Sequence, residues 1–248
     1  MEPWFFPLKY WQQVSAPAVK SAIEDLFDKW GPPERMRVDN GAPWGSSGDL
    51  PPELALWLIG LGIDVTWNAP RRPQENGVIE RSQGTGKRWS EPRRCATAAD
   101  LQRRIDEADC IQREVYPSVE GKSRSTAYPE LRRPEPQAWR RRRWSLDRVL
   151  EHLADYALVR RVDAVGKVSV YGHDLYVGKP WIRKTVFVTL DPFGKEWIVS
   201  DERGVMLRSK PAAELTETNI LALTMNDRPA PPSGKTKWPR PPAKLAGR

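Results

Sequence analysis

The chain has 248 residues, enough for one large or two modest domains, with 40 Lys and Arg against 32 Asp and Glu and a formal charge of +8. Its pI of about 9.6 suits a polyanionic partner, although basic proteins without one are common. Cys95, Cys110 and the two histidines lack the spacing of a four-ligand zinc site, and no apolar run has the length of a membrane span. We therefore expect a cytoplasmic protein with reduced thiols.

The first predicted elements are a helix and a strand. A short apolar run at residues 4–6 fits the end of a core strand. Ser15 is then a helix N-cap, and apolar residues recur at helical spacing until Gly31. The run Arg35–Val38 has β character, and the Asp39-Asn40-Gly41 turn leaves Asp39 at the C-terminal end of that strand.

A second helix and strand, and then a third helix, follow in alternation. Pro51-Pro52 opens the second helix and Gly62 closes it, while residues 63–68 resemble a strand. A polar helix begins near residues 74–77, which places Glu80 in its first turns. The apolar stripe of the second helix consists of Leu54, Trp57, Leu58 and Leu61. This alternation predicts an α/β core.

The predicted α/β core brings two carboxylates to one edge of the sheet. Asp39 ends a strand and Glu80 begins a helix, so the two can meet above the sheet. Carboxylates held close together repel each other, and a divalent cation with oxygen ligands is the usual reason for such an arrangement. Spacing alone favours the alternative that both are solvated surface residues.

Three segments in order resemble the catalytic core of retroviral integrases and bacterial insertion-sequence transposases, the DDE-type class. They are Asp39-Asn40-Gly41, Gly60-Leu61-Gly62-Ile63 and residues 73–81, which read Pro-Gln-Glu-Asn-Gly-Val-Ile-Glu-Arg. The resemblance covers roughly residues 7–117 and implies an RNase H-like fold. It implies that Asp39 and Glu80 are the second and third members of an Asp-Asp-Glu triad that binds Mg²⁺ or Mn²⁺. The implied partners are DNA, as element ends and target, bound by a homo-oligomer at the bacterial nucleoid.

The first Asp of the triad has no counterpart in this sequence. In the resembled family it lies on the opening strand of the sheet, whereas only the run at residues 4–6 precedes the helix at Ser15, and Glu2 does not match it. We therefore expect an incomplete core that lacks its first strands and does not cleave DNA by itself. The alternatives are an inactive remnant that binds DNA or joins a full-length transposase, and a basic interaction domain whose acidic pair is accidental.

Lys87 and Arg88 follow Glu80 by about two helical turns. Gly84 and Gly86 lie in the same helix, where each costs up to about 1 kcal/mol relative to Ala but permits close approach of a phosphate. Basic residues on this helix contact DNA ends in the resembled family, so Lys87 and Arg88 are candidate DNA contacts. A frayed helix with solvated cations is the alternative.

The next predicted features are a scaffold helix and a basic linker. A capping box at residues 97–100 opens the helix, whose apolar stripe is Leu101, Ile105, Ala108, Ile111 and Val115. The densest basic run is Trp139-Arg140-Arg141-Arg142-Arg143-Trp144. Arginines bind phosphates and indoles offer a planar surface, so Arg140, Arg141, Arg142 and Arg143 are predicted DNA contacts. A solvated linker is the alternative.

The remainder of the chain is predicted to be β-rich. After a short helix from Ser145, β-branched residues concentrate at residues 158–162, 167–171, 185–190 and 196–199, with turns at 191–194 and 201–204. This pattern predicts a small all-β barrel, similar to the one that follows the core in Mu-type transposases, that helps to hold DNA. The resulting division is a core at 1–118, a linker at 119–144, the helix and barrel at 145–224, and a disordered basic tail at 225–248.

Overall fold

A computed structural model describes residues 14–45, 49–68, 77–131 and 135–226 of the chain. The predicted strand end at residues 4–6, residues 73–76 of the PQENG motif and nearly all of the predicted disordered tail lie outside the described residues. The first elements are α1 (Ala16–Trp30), β1 (Arg35–Val38), α2 (Glu53–Gly60), β2 (Asp64–Trp67), α3 (Gly77–Trp89) and α4 (Ala98–Glu114). The later elements are α5 (Arg124–Ala127), α6 (Leu146–Ala154), β3 (Leu158–Arg161), β4 (Lys167–Val170), β5 (His173–Tyr176), β6 (Thr185–Asp191), β7 (Glu196–Ser200), β8 (Met206–Pro211) and α7 (Glu217–Ala222).

The first half of the chain has the predicted order of helices and strands. The Ser15 hydroxyl accepts a hydrogen bond from the Ala18 amide at 3.4 Å, which caps α1, and Gly31 ends that helix with a φ of 78°. Strands β1 and β2 are parallel, with Arg35 beside Asp64 and Val38 beside Trp67. The mixed α/β class is therefore confirmed, and the RNase H-like fold stays a prediction.

Helix α2 lies at the centre of the hydrophobic core. The predicted stripe is buried, but so are the residues on its other faces, because every residue from Leu54 to Gly60 is buried. Helices α6 and α7 from the later part of the chain pack against α2, which already contacts β2. This eight-residue helix has apolar residues on every side because helices from distant parts of the sequence cover its other faces.

The later part of the chain forms antiparallel sheets. Strands β3, β6, β7 and β8 make one sheet in the spatial order β3-β6-β7-β8, and β4 and β5 form a separate hairpin. The two sheets share one core, in which Val170 and Leu175 of the hairpin join Val186 and Val188 of the larger sheet. The predicted hairpins are confirmed, whereas closure into a barrel stays a prediction.

The two tryptophans of the basic run pack in the core. Trp139 and Trp144 are each only 8% exposed, so the prediction that their indoles offer a surface to DNA is wrong. Trp144 Nε1 donates to the Trp57 carbonyl oxygen at 3.0 Å, and the Ser145 amide donates to the Gly60 carbonyl oxygen at 3.0 Å. The end of the predicted linker therefore caps the C-terminus of α2.

Helix α4 begins at the predicted cap, where Thr97 Oγ1 accepts from the Asp100 amide at 3.1 Å. Its predicted apolar stripe is not continuously buried. Ala108 is buried, whereas Ile111 is 45% exposed and Val115 is 68% exposed, so the described residues leave the C-terminal part of the stripe uncovered. No described helix combines the length and the apolarity needed to cross a bilayer.

Two helical glycines differ in what surrounds them, and this difference predicts opposite effects of the same substitution. A Cβ atom on Gly60 would lie 2.1 Å from the Trp144 indole, whereas a Cβ on Gly84 would meet nothing within 4 Å. Gly60→Ala should therefore lower the free energy of unfolding by about 1 to 3 kcal/mol, as overpacking does. Gly84→Ala should raise it by up to about 1 kcal/mol through helix propensity.

Urea unfolding of the two variants and the wild type measures both effects. Each variant serves as the control for the other, since both place Ala in a helix. A stabilising Gly60→Ala substitution would contradict the packing of Trp144 on α2.

Candidate functional site

Asp39 lies directly after β1, at the C-terminal edge of the parallel strand pair, and its side chain is exposed. The turn that carries it is tied to the end of β2. Asn40 Nδ2 donates to the Asn68 carbonyl oxygen at 2.9 Å, and the Asn68 amide donates to the Val38 carbonyl oxygen at 3.0 Å. A Cβ on Gly41 would lie 3.2 Å from Asp39 Oδ2, so glycine at this position leaves the carboxylate room. The strand-end position predicted for Asp39 is confirmed.

Glu80 lies in the first turn of α3 and is exposed, as the sequence predicts. Helix α3 is held against α4 by the Ser82 hydroxyl, which donates to Gln112 Oε1 at 3.1 Å, and Gln112 is only 5% exposed. The C-terminal ends of β1 and β2 lie at the same sheet edge because the two strands are parallel. Residues 69–76, outside the described part, connect that edge to α3. That Asp39 and Glu80 share one ion stays a prediction.

Neither the Asp39 nor the Glu80 carboxylate has a hydrogen bond or ion pair to another described residue. Exposed carboxylates without a protein partner are able to bind a hard cation through their oxygens. In the described ranges, no set of three or more His, Cys, Asp and Glu side chains is placed to hold a metal ion. That observation concerns larger sets and does not bear on a pair of carboxylates.

An aromatic cleft next to the Asp39 turn was not predicted from the sequence. It has a volume of about 210 Å³, and Trp44, Trp67 and Tyr156 contribute to its walls. Trp67 Nε1 donates to the Trp44 carbonyl oxygen at 2.9 Å, which joins β2 to the segment after the turn. Burial, together with the charge of Asp155, raises the pKa of the Tyr156 phenol, so it stays protonated at neutral pH.

The two basic residues predicted on α3 lie in its last turn. Lys87 and Arg88 are both exposed. Gly84 is exposed with open space around it, whereas Gly86 is buried. The open approach predicted for this helix therefore exists at Gly84, and the DNA contacts of Lys87 and Arg88 stay predictions.

The four arginines of the basic run differ in how they are held. Arg140 Nε donates to Asp28 Oδ1 at 2.8 Å, Arg140 Nη2 pairs with Asp28 Oδ2, and Trp139 Nε1 also donates to Oδ1 at 2.9 Å. Arg141 pairs with Glu135 at 3.2 Å, and both side chains are largely exposed. Arg142 and Arg143 are exposed and have no carboxylate partner among the described residues.

Asp28 links the basic run to α1, a contact that the local sequence pattern does not reveal. The hydrogen bond from Arg140 lowers the pKa of the Asp28 carboxyl, partial burial opposes this effect, and Trp139 adds a smaller lowering. Arg140 thus takes part in packing the fold, and Arg141, Arg142 and Arg143 remain the better candidates for external anions.

No known protein-family model matches the chain. The resemblance to the integrase and transposase class therefore depends on the three motif segments. Of these segments, the first two and residues 77–81 of the third lie in the described part of the chain.

The paired Asp28 predicts a pH-dependent effect on stability. Its folded pKa lies below the ordinary value of 3.8, so the pair stabilises the fold fully above that value and loses this effect as the pH falls through the folded pKa. Asp28→Asn should therefore lower the free energy of unfolding at neutral pH, and the difference from wild type should narrow in acid.

Denaturant unfolding at several pH values measures this difference. Glu135→Gln, which breaks the exposed pair with Arg141, should change stability little at any pH. An Asp28→Asn effect that is constant across the pH range would show that the pairing is not electrostatic.

Proposed function

We propose that this chain belongs to a polynucleotidyl transferase of the integrase and transposase class, which cleaves DNA and transfers the strand with a divalent metal ion. One observation carries the proposal: Asp39 is exposed at the C-terminal edge of two parallel strands, and Glu80 is exposed in the first turn of the helix that follows the second strand. This arrangement agrees with the roles that the motif resemblance gives to both residues.

The donor set at this edge fits Mg²⁺ or Mn²⁺. Asp39 and Glu80 offer carboxylate oxygens, the ligands that hard cations prefer, and no described residue competes for either group. A bound ion would supply an activated water and charge stabilisation for phosphodiester cleavage. Two carboxylates fill only part of a coordination shell, so the proposal requires further oxygen ligands from the DNA, water or another carboxylate. Lys87 and Arg88 would bind DNA phosphates on the same helix as Glu80.

A second candidate function is DNA binding without cleavage, in a chain that assembles with an active transposase. The exposed Arg142 and Arg143, which lack carboxylate partners in the described ranges, favour this candidate as well as the first. Both proposals share DNA as partner, a homo-oligomer or mixed assembly on it, and a place at the bacterial nucleoid. A Mg²⁺- or Mn²⁺-dependent nicking assay separates the two.

That assay uses supercoiled plasmid carrying the DNA that flanks the gene. It compares the 248-residue chain with a version extended upstream by the in-frame genomic sequence. Metal-dependent nicking by either protein supports the enzyme, and DNA binding by both without nicking supports the second candidate. A chain with no salt-dependent affinity for DNA would contradict both.

In whichever protein is active, Asp39→Asn should reduce nicking and strand transfer to background and leave DNA affinity unchanged. The reason is that an amide replaces a charged metal ligand without removing a phosphate contact. The matched control is Asp64→Asn, at the opposite end of the same strand pair, where Asp64 pairs with Arg35 at 2.5 Å. This control should retain activity, because exposed pairs contribute about 1 kcal/mol or less. Full activity of Asp39→Asn would exclude Asp39 as a metal ligand.

The four arginines of the basic run should differ in how much each contributes to the salt dependence of DNA binding. Replacing Arg141, Arg142 and Arg143 by Gln should flatten the slope of log affinity against log salt by up to about 0.9 per lost phosphate contact. Arg140→Gln alone should leave the slope unchanged and lower stability, because Arg140 pairs with Asp28. Fluorescence anisotropy with a DNA duplex measures the slope. A triple variant with the wild-type slope would show that these arginines are solvated and do not contact phosphates.

A further inference from the structure

The segment between β5 and β6 forms a short, well-anchored loop at residues 178–184. A 3-10 turn, Lys179–Trp181, opens it, and the Lys184 amide donates to the Trp181 carbonyl oxygen at 2.9 Å. The loop is tied to the end of β3, since the Val162 amide donates to the Lys184 carbonyl oxygen at 2.9 Å and the Arg183 amide to the Val162 carbonyl oxygen at 3.0 Å. The loop therefore holds its side chains on a fixed backbone.

Four cations lie on this loop and the adjacent strand end, and we call this group the loop cluster. Its members are Arg161, Lys179, Arg183 and Lys184. All four are exposed, and none pairs with a carboxylate of the described residues. Arg161 lies against the loop, because its Nε donates to the Arg183 carbonyl oxygen at 3.2 Å. No ion pair with a described carboxylate therefore neutralises a member of the loop cluster.

The neighbouring cations and carboxylates are already engaged. Arg160 pairs with Asp49 at 2.7 Å, and Lys167 pairs with Asp174 at 3.1 Å. The Asp163 carboxylate accepts hydrogen bonds from backbone amides at residues 165 and 167, which fixes its own turn. Asp163 keeps its negative charge in these hydrogen bonds, but it is not paired with the loop cluster, whose four cations outnumber it.

The two ends of the same sheet carry different charge patterns. At the end away from the loop, the turn between β6 and β7 places Lys195 between the carboxylates Asp191 and Glu196. At the end near the loop, the turn after β7 carries Asp201, Glu202 and Arg203 beside the start of β6. The loop at 178–184 contains three cations and no carboxylate. The cluster is thus a local feature and not the general basic character of the chain.

The geometry of the loop suits a phosphate backbone better than a membrane surface. Lys184 Nζ lies 4.9 Å from the centre of the Trp181 ring, a cation–π contact that orients the ammonium group. Membrane-binding surfaces combine positive charge with exposed apolar anchors, whereas Trp181 and Ile182 of this loop are half-buried. Several solvent-facing cations on one anchored loop are a feature suited to binding phosphates.

We propose that the loop cluster binds the phosphate backbone of duplex DNA, independently of base sequence. The inference rests on the proposed function because it takes DNA as the partner, but it does not require that the chain cleave DNA. It assigns to the β-rich part of the chain a specific contact surface that is separate from the basic run at residues 140–143.

The test removes charge without disturbing the loop. Arg183 has a φ of 63°, a left-handed conformation that glycine adopts more readily than arginine, so Arg183→Gly should preserve or improve folding. The test variant of the full chain combines Lys179→Gln, Arg183→Gly and Lys184→Gln. The matched control combines Lys195→Gly, Arg208→Gln and Lys210→Gln, which lie in the turn at the far end of the sheet and on the opposite edge strand β8. Lys195 also has a positive φ, of 54°. Both variants lose the same charge.

Anisotropy with a fluorescent duplex of about 30 base pairs at several salt concentrations gives the slope of log affinity against log salt for each protein. If all three groups contact phosphates, the test variant should flatten the slope by about 2.7. The ratio of affinities at about 50 and about 200 mM salt should then shrink by about 40-fold, and the control should keep the wild-type slope. Urea unfolding shows whether each variant is folded. If the test variant with Arg183→Gly is unfolded, a test variant with Arg183→Gln takes its place.

Three results would overturn the inference while leaving the proposed function intact. These are an unchanged slope in the test variant, an equal change in both variants, and a loss of binding to phosphatidylglycerol vesicles with no change on DNA. Absence of duplex binding by the wild-type chain would overturn the proposed function together with the inference. Duplex binding with the expected slopes but no metal-dependent nicking would contradict only the proposal that the chain belongs to an active enzyme.

Discussion

The packing of Trp144 on the end of α2 is the contact on which the rest of the fold depends. The indole fits because residue 60 has no side chain, and its Nε1 bonds to the Trp57 carbonyl oxygen at 3.0 Å. Arg148 Nη1 donates to the Gly60 carbonyl oxygen, also at 3.0 Å. The last carbonyl groups of a buried helix need such partners, since no water reaches them. Residues from the later part of the chain thus complete a helix of the earlier part.

Local patterns in the sequence predicted the elements that have strong caps or alternating β-branched residues. Ser15, Thr97 and Ser145 each cap the helix expected to follow, and β6 and β7 lie where the alternation placed them. Strand β5 and helix α7 were missed because they are short, and β8, an edge strand with little apolar signal, was predicted only through the turn at 201–204 that precedes it. The exposed half of the α4 stripe was also missed, since periodicity shows which residues share a helix face but not whether anything covers that face.

The positions of the two candidate metal ligands were also predictable from local sequence patterns. The turn residues after β1 fixed the position of Asp39, and the start of the polar helix fixed that of Glu80. The pairing of Arg140 with Asp28, across 112 positions, was not predictable. The sequence does not distinguish the four consecutive arginines, because the carboxylate that pairs with Arg140 lies on a distant helix. The aromatic cleft formed by Trp44, Trp67 and Tyr156 likewise joins segments that are far apart in the chain.

The shared core connects any DNA contact on the β-rich part to the edge that carries Asp39. Helix α6 packs both on α2 and on β6, the strand that begins where the loop cluster ends. Helix α2 in turn contacts β2, which pairs with the strand that Asp39 follows. Close-packed protein interiors deform little, so these packed elements resist a change in the position of the loop relative to the sheet edge. A phosphate backbone held by the loop cluster would therefore be positioned relative to Asp39 by the core itself and not by a flexible linker.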